Sequence, residues 1–110
     1  MLKKNKKQKV VISSSFGGFE PDMHFKIFLK ALDVELFSIE GRTHPEIIAY
    51  IETYSDEYGV LRGKDRYQYV RLVEVDTSRP WFIDVYDGSE SIRYLDYKYV
   101  NKKLKYVELI

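Results

Sequence analysis

The apolar and polar positions of this chain change period several times, and each change marks an element. Lys9 to Ser14 (KVVISS) is a compact β-branched run closed by a glycine pair, which predicts a first strand. Phe16, Gly17, Gly18 and Phe19 form an irregular loop, because adjacent glycines interrupt helix and strand alike. Pro21 and Asp22 then read as a helix start, with Asp22 able to accept from free N–H groups. Met23, Ile27, Phe28, Ala31 and Leu32 follow three-and-four spacing and predict the apolar stripe of that helix. Val34 to Ile39 alternates, imperfectly, and is read as a second strand. Thr43 and Glu46 have the spacing of a capping box, and Pro45 falls in the first turn of a second helix. Its face is Ile47, Ile48, Ile51, Tyr54 and Tyr58, with Gly59 as the stop.

A charged loop, Val60 to Arg66, leads into period-two sequence. Tyr67 to Asp76 predicts a long strand, with Tyr67, Tyr69, Arg71, Val73 and Val75 on one face and Gln68, Val70, Leu72 and Glu74 on the other. Ser78, Arg79 and Pro80 break it. Asp87-Gly88 between two alternating runs predicts a two-residue hairpin that pairs Tyr86 with Ser89, Ile83 with Ile92 and Trp81 with Tyr94. Trp81, Ile83, Val85, Ile92 and Tyr94 then form its buried side, and Phe82, Asp84, Tyr86, Ser91 and Arg93 its outer side. A second turn at Asn101-Lys102 and a last strand from Leu104 to Ile110 complete the chain. The order β-α-β-α-β-β-β predicts an α+β fold, a mixed sheet with both helices packed on one face. Residues 1–8 are expected to be a basic flexible tail and residues 9–110 a single domain.

Composition narrows the class. With 110 residues there is room for one domain, and 45% hydrophobic residues suffice for its core. No cysteine is present, which removes disulfides and thiolate metal sites and favours a reducing compartment. The basic start is followed only by the short apolar stretch Val10 to Ile12, too short for a secretory signal or a membrane span. The expected location is therefore the cytoplasm, with no membrane contact.

The net charge of +1 conceals an asymmetry. Five lysines lie in the first nine residues and four (Lys98, Lys102, Lys103, Lys105) near the end. Residues 10–97 hold nine Lys or Arg against sixteen Asp or Glu, a balance of −7. The basic ends, with Tyr94, Tyr97, Tyr99 and Tyr106 interleaved at the second, have the composition of a nucleic-acid contact. The acidic middle would repel a phosphate backbone, and a short lysine tail also serves plain solubility.

Candidate chemistry is sparse. A strand, a glycine loop and a helix N-terminus make a recipe for anion binding, with Phe16, Gly17, Gly18 and Phe19 as the cradle and Arg42 as counter-charge. The loop matches neither phosphate-binding glycine motif, and Glu20 and Asp22 place negative charge where a phosphate would sit. A tight turn is the competing reading. His24 and His44 belong to different helices, and no elbow motif surrounds Ser13, Ser14 and Ser15. No catalytic residue, metal ligand or cofactor is assigned. Ten tyrosines suit a protein-binding surface, and the outer hairpin residues Phe82, Asp84, Tyr86 and Arg93 are its candidate.

Three stretches carry a family resemblance. Residues 9–19 (KVVISSSFGGF) resemble the opening of small uncharacterised phage and prophage proteins, a strand followed by C-[FY]-G-G-F and then G-L-S. Residues 42–48 (RTHPEII), running on to Glu52, are similar to their R-x-D-P helix start. Residues 73–75 (VEV) with 81–90 (WFIDVYDGSE) resemble their V-E-I-P and W-x-I-x-x-Y-D-G-x-E ending. Ser15 stands in place of the family's cysteine, and Glu20, Pro21 and Asp22 replace Gly-Leu-Ser, so no thiol-dependent role carries over. The resemblance spans about residues 9–92. It implies a phage or mobile-element origin, a bacterial host cytoplasm and an accessory role, and the family brings no assigned activity. The expected function is binding of a host macromolecule, most naturally a host protein, with inhibition of a defence or replication factor as its effect. The alternatives are a small anionic ligand at the Phe16–Phe19 loop and nucleic acid at the basic termini.

Overall fold

The structure, a computed structural model, describes residues 6–100 and 103–109, with side chains as far as residue 95. The fold is α+β, but its strands form two antiparallel three-stranded sheets instead of one mixed sheet. In chain order the elements are β1 (Lys7–Ser13), α1 (Met23–Leu32), α2 (Ile39–Arg42), α3 (Pro45–Tyr54), β2 (Val60–Arg62), β3 (Tyr69–Asp76), β4 (Trp81–Tyr86), β5 (Ser89–Val100) and β6 (Lys103–Leu109). The first sheet has the order β1-β3-β2 and the second β4-β5-β6. β1 begins two residues before the expected Lys9 and ends at Ser13. The expected turn at Asn101-Lys102 lies outside the described residues; β6 begins one residue before the expected Leu104.

Alternation explains the layering. Val10, Val11 and Ile12 are all fully buried, because β1 is covered on both faces. Val11 joins Leu61, Val70 and Leu72 against Phe25, Ile47 and Ile51 of the helices. Val10 and Ile12 join Val73 and Val75 against Trp81, Ile92 and Tyr94 of the second sheet. The first sheet is thus a middle layer, with the helices on one side, as expected, and the hairpin on the other.

Several elements depart from the sequence expectation. Asp22 caps α1 as predicted, its Oδ1 accepting from Phe25 N at 2.9 Å. The stripe that packs on the core, however, is Phe25, which is buried, with Phe28, Leu29 and Leu32, which are partly so. Met23 and Ile27 are 68% and 60% exposed. Both sets fit helical spacing; the one that wins holds two phenylalanines, and Tyr50 of α3 stacks on Phe25 and packs at a tilt against Phe28.

Val34 to Ile39 is no strand: Ser38 accepts from Gly41 N at 3.0 Å and opens α2. Gly41 lies so close to the preceding turn that a Cβ there would be 1.9 Å from the Glu35 carbonyl oxygen. Nor does the predicted capping box form. Thr43 ends α2, donating its hydroxyl to Ile39 O, and His44 Nδ1 accepts from Glu46 N to start α3. That helix stops at Tyr54, short of Gly59, leaving Tyr54 and Tyr58 exposed. Val60–Arg62, expected as loop, pairs with β3 as a buried edge strand. The hairpin register is the predicted one, Tyr86 opposite Ser89, Ile83 opposite Ile92 and Trp81 opposite Tyr94. Val85, assigned to its buried side, is exposed near the turn.

Candidate functional site

The glycine loop follows β1 directly, and both glycines adopt the left-handed conformation, with φ of +82° and +83°. Its polar groups meet neighbouring chain. Gly17 N donates to Asp87 O at 3.0 Å, and Gly17 O accepts from Gln68 Nε2 at 3.3 Å. Gly18 O accepts from Ser15 Oγ at 3.2 Å, and Ser89 Oγ donates to Ser14 O at 2.8 Å. The Asp87-Gly88 turn lies against the loop, so a Cβ on Gly88 would be 2.6 Å from Gly18 N and 2.9 Å from Gly17 N. Where an anion would approach, the hairpin turn already sits. Phe19 packs inward, 6.3 Å from the Phe25 ring and 6.4 Å from Phe37, whereas Phe16 is exposed.

Arg42, the expected counter-charge, faces Glu90 instead. Its Nη1 and Nη2 donate to Glu90 Oε1 and Oε2 at 2.9 and 2.7 Å, a two-pronged pair with side chains only 14% and 11% exposed. Nη1 also donates to Val11 O at 3.0 Å and Nε to Phe37 O at 3.3 Å, with the Phe37 ring 4.9 Å from the guanidinium carbon. Glu90 Oε1 in turn accepts from Ser13 N at 2.8 Å. Burial alone would push the Glu90 carboxyl up; hydrogen bonds from Arg42 and Ser13 N and the guanidinium charge outweigh it and hold the group below the ordinary glutamate value.

This fork also completes a strand edge. Among the described residues β1 has one strand neighbour, β3. Val11 O and Ser13 N, on its other side, would bond a further strand. The guanidinium and the carboxylate take those two positions, so the ion pair ties β1, α2 and the hairpin together at one point.

The hydroxyls of Ser14 and Ser15 are likewise engaged in structure. Ser14 Oγ accepts from Arg71 Nε at 2.6 Å, and Ser15 Oγ accepts from Tyr69 N at 2.9 Å. Among the described residues no group of three or more His, Asp or Glu is placed to hold a metal ion, and no helix is long and apolar enough to cross a membrane.

The structure does assemble the hairpin set. Phe82, Asp84, Tyr86 and Arg93 share the outer side of β4 and β5, with Arg93 Nε 3.2 Å from Asp84 Oδ2. Tyr86 is well exposed and Phe82 partly so. Of the basic termini, residues 1–5, 101, 102 and 110 lie outside the described residues, as do the side chains beyond residue 95.

Sequence reasoning missed a second cluster, Asp56, Tyr58, Arg62, Arg66 and Tyr67, which line one cleft beside β2. Its signal is a repeated Asp-x-Tyr, at Asp56 to Tyr58 and Asp65 to Tyr67, the composition of an Asx turn. No family model, curated protein or solved structure matches this chain.

Proposed function

We propose that this chain is a binding protein of a phage or mobile element, and that it presents the outer side of the β4–β5 hairpin to a host protein. The observation that carries this reading is the two-sidedness of the hairpin. Its inner side is fixed by Trp81, Ile92, Tyr94 and the Arg42–Glu90 fork. Its outer side leaves Tyr86 and part of Phe82 in solvent around the Asp84–Arg93 pair. Aromatic and arginine side chains on a rigid platform lose little entropy on binding and are the residue types that dominate interfaces. Inhibition of a defence or replication factor is the effect such a contact would have.

The test compares tagged wild type with Tyr86→Arg, both expressed in the host and washed at high salt. A partner retained by wild type and lost by Tyr86→Arg supports the reading. Recovery of both proteins alone, or with the same partner, removes it.

A further inference from the structure

The second cluster is built for a different ligand. Asp56 Oδ1 accepts from Tyr58 N at 2.9 Å and Val60 N at 3.3 Å, and Asp65 Oδ1 accepts from Tyr67 N at 2.9 Å. Each aspartate thus locks the backbone that carries the tyrosine two residues on, and each ring projects into solvent, 75% and 86% exposed.

The same cleft is lined by a guanidinium already set in place. Arg62 Nε donates to Asp56 Oδ2 at 3.0 Å and Nη1 to Arg66 O at 2.9 Å, with its guanidinium carbon 5.9 Å from the Tyr69 ring. Those bonds leave the Nη2 donors uncommitted. They also satisfy the Asp56 carboxylate within its own turn, so it faces its turn and Arg62. The Arg66 side chain makes no hydrogen bond or ion pair among the described residues. Residues 56–67, which build the cleft, hold three cations, Arg62, Lys64 and Arg66, against three carboxylates, Asp56, Glu57 and Asp65, where the body from residue 10 to 97 is acidic. The cleft is a solvent-open depression of about 510 Å³, and small-molecule sites usually measure roughly 300–1,000 Å³.

We infer that this cleft binds an aromatic base carrying a phosphate, the base stacked on Tyr58 and Tyr67 and the phosphate held by Arg62 and Arg66. Stacking on aromatic rings tolerates any base, and a braced guanidinium binds phosphate oxygens at small entropic cost. The same chemistry is offered by a free nucleotide and by single-stranded nucleic acid. This site shares no residue with the hairpin surface, so the two stand or fall separately.

Calorimetric titration of the full chain with adenosine monophosphate, inorganic phosphate and an oligothymidylate tests it. Adenosine monophosphate is expected to bind at least tenfold tighter than inorganic phosphate. Tyr67→Ala and Arg66→Ala each weaken it about tenfold, the loss of one stacked base or one charged contact, while Tyr67→Phe keeps the affinity. Oligothymidylate binding that is tighter still and falls with salt identifies single strands as the source of the ligand; equal affinity identifies free nucleotide. All these side chains are exposed, so the variants keep the fold. Absence of heat with both nucleotide probes, unchanged affinity in Tyr67→Ala and Arg66→Ala, or phosphate binding as tight as the nucleotide overturns the proposal.

Discussion

Arg42 and Glu90 are 48 positions apart in the chain and form its most consequential polar contact. Removing one member of a mostly buried pair strands the other charge. Glu90→Ala should therefore cost about 3 kcal/mol in urea unfolding, because Arg42 and Ser13 N lose their acceptor together. The pair also sets an acid limit. The Glu90 carboxyl is held below its ordinary value when folded and regains that value when unfolded. Its contribution is present above the unfolded pKa, about pH 4.3, and is lost as pH falls through the folded one. The urea midpoint of wild type should drop over that window, and that of Glu90→Gln should drop less. Sequence alone singled out Arg42 as the counter-charge of a ligand at the glycine loop because nothing local names its partner. Only the packing of the hairpin on β1 brings the carboxylate to it.

At the scale of elements, local signals proved readable and ambiguous ones were settled at a distance. The hairpin register could be read because Asp87 and Gly88 both take positive φ, 50° and 80°, the backbone of a two-residue turn that matches strand twist. The second strand could not. Val34 to Ile39 alternates well enough for a strand, and its fold is decided by α2 closing on the Glu35 carbonyl at Gly41. Gly41→Ala should accordingly destabilise by about 2 kcal/mol or more, as overpacking against backbone does, measured by thermal or denaturant unfolding. The α1 stripe was misjudged because its polar face also carries Met23 and Ile27. Phe25→Ala should cost about 3–5 kcal/mol, whereas Ile27→Lys should fall within about 0.5 kcal/mol of wild type. Equal losses in the two variants would mean that α1 packs by its other side.

For the molecule as a whole, the α+β class and the placement of both helices on one face followed from helical and strand periods. The split into two sheets did not, because the break at Ser78, Arg79 and Pro80 reads the same whether the next strand joins the old sheet or covers it. Burial resolves this: β1 and β3 lie between two apolar clusters. The amides of Val10, Ile12 and Val70, in fully buried residues, should exchange hydrogen only through global unfolding, while those of exposed Tyr58 and Tyr67 should report fast local opening. Native-state exchange that protects β4 better than β1 would contradict this layering. The fork over Val11 and Ser13 has one more consequence. Unpaired backbone at a sheet border is a template on which another chain can grow, and here a single acid-sensitive side-chain pair stands guard over it. A Glu90→Ala protein should therefore do more than melt early: at high concentration it should associate through β1 and seed fibrils.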